Sequence, residues 1–338
     1  MRVKINGSFY DFFDDLIINS SLDSFASTFS FKARFNPSNT SHRDIFRPLS
    51  FNRVEIFDKN DNLILTGVVV NTTLNSLSLE KAPSISGYSL PGVLETSNIP
   101  YESYPLESNN VSLIDLTSRL LSPFGLSSVF DENILNQANI IYERTVAEPT
   151  ETIKSYLSSL AAQRNIIIGH NEKGNLHFFR LNVNSNVIYS FNEQNTLTMD
   201  LSVNGQSMSS DISVIRQPSK TNNNLNPVDS IKNPLISDFR PMVKVLSSGE
   251  DTETREAVNN ALSTQLRGIT LNIKINTIEN IKKGDIVDVV NREIFLSERT
   301  RFVVQSVSVK ETKNSEESTF KLVLPEVFTG GQPNIKFE

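Results

Sequence analysis

Between Phe25 and Phe35 the chain alternates. Phe25, Phe29, Phe31, Ala33 and Phe35 take the odd positions, with Ser, Thr, Lys and Arg mostly between them. A period of two places one face of a strand on a core and the other in water. Residues 1–35 read as strands in this way. The stretch NPSNTSHRDIFRPLS (36–50) holds two prolines and many turn formers, and reads as a long loop. In FNRVEIFDKNDNLILTGVVV, the pairs Val54/Ile56 and Leu63/Leu65 flank DKNDN, whose residues tolerate φ > 0. That is the signature of a hairpin. A further strand runs into SISGYSLPGVL.

The period changes near Asn110. In NVSLIDLTSRLLSPFG, Leu113, Leu116 and Leu120 share a face, Ser112 is a good N-cap, and Asp115 stands at the capping-box position. Pro123 and Gly125 end this short helix. In EPTETIKSYLSSLAAQRN, Ile153, Tyr156, Leu157, Leu160 and Ala161 recur at helical spacing, with Thr150 as the expected N-cap. IIIGHNEKGNLHFFRL follows as a hairpin turning at Lys173-Gly174. From Val187 the strands return. PSKTNNNLNPVDSIKNPLIS (218–237) reads as a loop or arm. DTETREAVNNALSTQLRG reads as a surface helix with a thin stripe (Ala257, Ala261, Leu262, Leu266), ending on Gly268 as C′ residue. DIVDVV, RFVVQSVSV and FKLVLPEVF close the chain as strands. The predicted domains are 1–95 and 185–328, each a β unit, with an α+β insert at 96–184. The second carries the helix 251–267, 329–338 is a C-terminal tail, and FTGGQP reads as flexible rather than as a phosphate loop.

The two β units resemble each other. VEIF…LILTGVVV…SISGYSLPGVL and DIVDVV…RFVVQSVSV…TFKLVLPEVF each give a hairpin, a β-branched strand, a polar turn, and a strand ending in Leu-Pro-x-Val. A chain with one unit twice can build a ring with twice as many positions as subunits. A trimer of such chains presents pseudo-sixfold symmetry.

Composition narrows the chemistry. The 338 residues contain no cysteine, so disulfides, thiolate metal sites and a cysteine nucleophile are excluded. The core is rich in phenylalanine, with 21 Phe and no Trp. A net charge of −6 argues against electrostatic wrapping of nucleic acid. No stretch has the length and apolarity of a membrane span, and the first residues do not read as a signal peptide. The expectation is a soluble protein made in a cytoplasm. His170 and His177 flank a turn and could face each other, but no third metal ligand accompanies them. Glu143, Glu148 and Glu151 cluster in sequence; a helix start and a solvated loop explain them. YESYPLES reads as a loop with two tyrosines packed at its base. The G-x-S-x-G, P-loop and dinucleotide motifs are absent. No catalytic, cofactor-binding or metal residue is assigned.

Five stretches in order resemble the baseplate hub proteins of contractile-tailed bacteriophages, specifically the phage Mu hub family. They are FYDFFDDLIINSSLDSFASTFSF, SGYSLPGVLETSN, PTETIKSYLSSLAAQRNIIIGHNEKGNLHF, LSVNGQS, and FRPMVKVLSSGEDTETREAVNNALSTQLRG with a closing β unit. Two departures stand out: the family often has a Trp after the last helix, where this chain has none, and the 218–237 arm is short and Asn-rich. The resemblance implies a mainly β fold, with two similar tail-tube-like β-barrel domains and a peripheral α+β domain. It implies a structural, non-enzymatic homotrimer without cofactors. Its pseudo-hexameric ring would join a hexameric tail tube to a trimeric central spike and touch other baseplate proteins. DNA would pass through the lumen without specific binding, and no membrane would be entered. The location would be the virion, in the tail baseplate, after assembly in the host cytoplasm. The loops 36–50 and 218–237 are the expected contact segments. The alternative is a tail-associated peptidoglycan hydrolase or carbohydrate-binding module.

Overall fold

The computed structural model describes residues 1–76, 82–216, 228–246 and 254–338. They divide into two compact units, Met1–Arg180 with Ser308–Ser318, and Leu181–Val307 with Thr319–Glu338.

The alternating segments of the first unit form β1 (Arg2–Ile5), β2 (Ser8–Tyr10), β3 (Phe13–Ser21), β4 (Thr28–Ala33), β5 (Arg53–Phe57), β6 (Leu63–Thr73) and β7 (Ser84–Ser89). Their order in the sheet is β3-β4-β7-β6-β5-β1-β2, antiparallel throughout. Val3, Ile18, Phe29, Val54, Leu65 and Ile85, from six of these strands, meet in one buried cluster. One face of the sheet thus feeds a single core from nearly every strand, the arrangement found on the inner face of a barrel sheet. The stretch expected as a long loop contains a helix, α1 (Thr40–Ile45). Asn39 caps it, its Oδ1 accepting from the N–H of Ser41 at 2.9 Å. Burial of Phe46 in the β cluster holds its far end.

After β7, Leu90–Gly92 makes a 3-10 turn into α2 (Val93–Thr96). The insert then runs β8 (Glu107–Ser112), α3 (Leu113–Leu121), β9 (Ser128–Phe130), α4 (Leu135–Ala138), β10 (Ile141–Val146), α5 (Ile153–Ala162), β11 (Ile167–His170) and β12 (Leu176–Phe179). Leu113, Leu116 and Leu120 of α3 and Ile153, Leu157 and Leu160 of α5 are buried together. The α3 cap is as expected: the Ser112 hydroxyl accepts from the Asp115 N–H at 3.1 Å and donates to the Asp115 carboxylate at 2.6 Å. The α5 cap is not Thr150 but Thr152, whose hydroxyl accepts from the Ser155 N–H at 3.2 Å.

The second unit contains β13 (Val187–Phe191), β14 (Thr198–Val203), β15 (Asp211–Arg216), β16 (Val228–Lys232), β17 (Pro241–Leu246), α6 (Thr254–Leu266), β18 (Ile269–Ile275), β19 (Ile286–Asn291), β20 (Leu296–Glu311), β21 (Glu316–Val323) and α7 (Glu326–Thr329). Residues past Val307 in β20 and before Thr319 in β21 belong to the first unit. The main order is β14-β18-β21-β20-β19-β13. Read beside β3-β4-β7-β6-β5-β1, it is the same sequence of strands. In both units the last meander strand is followed directly by Leu-Pro-x-Val, which leads into a short helix. Two differences mark the copies. β1 lies antiparallel to β5, whereas β13 lies parallel to β19. Between β14 and β18 the second unit inserts the small sheet β16-β15-β17, with α6 packed on it.

Four further expectations change. α6 exposes Arg255, Glu256, Asn260 and Thr264, but the opposite side buries Val258, Ser263 and Gln265 besides the expected stripe. Gly268 does not take the left-handed C′ conformation, and its N–H donates to Gln265 O at 2.9 Å. Residues 329–338 are fastened to the second unit: Ile335 is buried, and the Ser297 hydroxyl donates to Glu338 O at 2.7 Å. Of the 218–237 arm, 218–227 lie outside the described residues, and Val228–Lys232 is strand β16 rather than loop.

Candidate interaction surfaces

The histidines do not come together. Across the hairpin Gly169 pairs with His177 and His170 with Leu176, so the two rings leave opposite faces of the ribbon. His170 Nε2 lies 2.8 Å from the Ser27 hydroxyl in a buried site. His177 Nε2 lies 2.7 Å from Asp131 Oδ1. His42 Nδ1 accepts from the Asn36 N–H at 3.2 Å, and its ring stands beside Tyr10. Among the described residues, no group of three His, Asp or Glu is placed to hold a metal.

Glu143 and Glu148 are exposed, and Glu151 accepts from the Ser155 hydroxyl at 2.9 Å on the first turn of α5. A shallow hollow of about 630 Å³ is lined by Glu102, Ser103, Asp115, Ser118, Arg119, Ser122 and Pro123. Two of its three charged groups have structural work: the Asp115 carboxylate accepts from the Ser112 hydroxyl that caps α3, and Arg119 donates to Ser108 Oγ on β8 at 2.7 Å. The tyrosines expected to pack at a loop base do not: Tyr101 is 84% exposed, with its ring 5.3 Å from that of Tyr104.

Shifted titrations also trace to packing. Burial pushes the Tyr142 hydroxyl up to about 12, where it donates to Leu160 O at 2.8 Å under the Arg164 guanidinium. Burial raises Asp285, partly offset by the Lys282 N–H, which its carboxylate accepts at 2.6 Å. Burial likewise raises Glu326.

What the surface offers is contact area. Past α1 the chain turns out at Arg47–Phe51. Leu49 is 79% exposed with φ 61°, and Phe51 is exposed with φ 49°. A left-handed backbone costs a branched or bulky residue about 1–2 kcal/mol. Leu49 and Phe51 thus place two exposed apolar side chains in one turn. Sequence reasoning marked this segment, but not its shape, because the strain belongs to the backbone rather than to residue type. A second surface is the outward side of β16-β15-β17. Ile215 pairs with Val228 on one side and Val245 on the other, and Val228, Val243 and Val245 are all exposed.

No protein-family model and no curated protein matches the sequence. Solved structures do match the fold. A 43 kDa tail protein of prophage MuSo2 from Shewanella oneidensis superposes with a TM-score of 0.77 at 16% identity, covering 96% of this chain and 98% of that one. The tail protein from Neisseria meningitidis MC58 gives 0.77 at 17% identity, covering 97% of each. An E. coli component of the type VI secretion system, described as similar to T4 tail proteins gp27 and gp5, gives 0.60 at 11% identity, covering 98% of this chain and 79% of that one. The chain thus has the fold of phage tail proteins: mainly β, two similar β units, and an α+β insert.

Proposed function

We propose that this chain is a structural, non-enzymatic hub subunit of a contractile phage tail baseplate. Three copies form a pseudo-hexameric ring. One side meets the hexameric tail tube and the other the trimeric central spike, with further baseplate proteins around it. Residues 1–95 and 185–328 supply the six β units of the ring, and 96–184 widen it from outside. DNA passes through the lumen without specific contacts, an acidic protein being a poor surface for it to adhere to. The ring assembles in the host cytoplasm and ends in the virion.

The observation that carries this reading is the repeated strand order within one chain. Two like units per chain reconcile three copies with a sixfold neighbour. The likeness to phage tail proteins over the full length of both chains supports it. Light scattering on the purified protein tests it. The expected mass is three times the 37.9 kDa chain. A stable dimer or tetramer would overturn it.

A further inference from the structure

One strand edge is covered in the first unit and open in the second. In the first unit, the end of β20 lies beside β3, with the Ser308 hydroxyl donating to Asn19 Oδ1 at 2.7 Å. Lys313 reaches Asp14 at 3.7 Å, and Lys59 pairs with Glu316. The core-facing residues of β3 are sealed by this arrangement, Leu16 at 0% and Ile18 at 5% exposure. The counterpart of β3 in the second unit is β14, which ends the sheet and pairs only with β18 among the described residues. Its Met199, Leu201 and Val203 stand opposite Ile273, Leu271 and Ile269, all fully buried. Yet Met199 and Leu201 remain partly exposed and Val203 is 47% exposed. A core face is left without its last strand.

The backbone agrees. Asn204 donates its N–H to Gly268 O at 2.9 Å, so the even positions of β14 bond to β18. In an antiparallel ladder the alternate residues point the other way. Met199, Leu201 and Val203 therefore turn their N–H and C=O groups to the open edge. Such an edge is a template for another strand.

The complementary segment is in the first unit. β20 is engaged by β19 as far as Val304, whose N–H donates to Asp285 O at 2.9 Å, and β3 takes the same edge beyond it. β6 is the counterpart of β20. It is engaged by β5 as far as Val69, whose N–H donates to Asn52 O at 2.9 Å. Beyond that point Val70–Thr73 have β7 on one side and, among the described residues, no strand on the other. One chain therefore carries a used pair of edges and an unused pair of the same kind.

We infer that the end of β6 in one copy pairs with the open edge of β14 in the next. The contact is heterologous, and its repetition around the ring uses every open edge. It repeats between copies the junction that β20 and β3 make within one copy. The inference rests on the ring reading and specifies which strands close it.

Paired cysteines test it, and the native chain has none to interfere. Asp200 and Ser202 on β14, and Asn71 and Thr73 on β6, are exposed. The four double variants combining Asp200→Cys or Ser202→Cys with Asn71→Cys or Thr73→Cys are treated with a short bis-maleimide. At least one should give a covalent ladder ending at three copies, which the single variants do not. Asn19→Cys with Ser308→Cys is the control and should link within one chain. Val203→Pro removes an outward N–H without touching the β18 ladder, and should weaken self-association about tenfold or more with the folded spectrum kept. A wild-type trimer with no cross-link in any pairing, and a proline variant that assembles normally, overturns the strand contact and leaves the ring. A wild-type monomer at every concentration overturns both.

Discussion

Gly87 sits in the Ser-Gly-Tyr-Ser-Leu-Pro stretch, opposite Phe29 on one side and Val69 on the other. A Cβ built there would stand 1.9 Å from Val68 O and 2.8 Å from the Phe29 ring. The obstruction on the β6 side is backbone, which cannot rotate away. The β6 carbonyl would have to retreat by about 1 Å, which takes a ladder bond out of hydrogen-bonding range. Two weakened ladder bonds at about 1 kcal/mol each, with about 1–3 kcal/mol for displacing Phe29, give roughly 3–5 kcal/mol for Gly87→Ala. At about 2–4 °C per kcal/mol for a unit of this size, the melting temperature should drop by roughly 10 °C in calorimetry. Gly205→Ala is the control, because nothing lies within 4 Å of its built Cβ and its φ is ordinary. It should change stability by less than about 0.5 kcal/mol. A Gly87→Ala protein as stable as the control would refute the tight β6–β7 approach, and with it the alignment of that hairpin's free end.

Other consequences are simpler to measure. Thr152→Ala should cost about 1 kcal/mol in urea unfolding and Thr150→Ala nearly nothing, since only Thr152 caps α5. Asp285 has a raised pKa in the folded chain, so its charge opposes folding. That cost is absent below the unfolded carboxylate pKa and grows as pH rises through the folded value. Asp285→Asn should therefore melt higher than wild type at neutral pH, with the gain vanishing in acid; an equal gain at all pH would contradict this. On a peptidoglycan zymogram the protein should give no clearing. Clearing abolished by Glu143→Gln, Glu148→Gln and Glu151→Gln together would restore the hydrolase reading.

Much of the architecture was legible because burial imposes a period. Phe25, Phe29, Phe31 and Ala33 are all buried, as their alternation requires. The Leu-Pro-x-Val motif marked both copies of the unit because it leads from each strand there into a short helix. What escaped was decided by tertiary contact. Asn39 and the burial of Phe46 make a helix of Thr40–Ile45, a segment with little intrinsic helix preference. Thr150 and Thr152 are equivalent caps on paper; an intervening turn, with the Glu151 N–H on Glu148 O, leaves the second at the helix start. The histidine pair failed on register, since a one-residue offset sends side chains to opposite faces. The open edge of β14 could not be read at all, because strand order joins residues far apart in sequence. No side chain announces an unpaired backbone.

The central claim is that one chain supplies two equivalent positions in a threefold ring. End-on electron microscopy of the purified assembly tests it most directly. The account predicts class averages with threefold symmetry and six β lobes, alternating between two kinds, around a central opening. A ring with one lobe per chain, or an assembly of twofold symmetry, would contradict it.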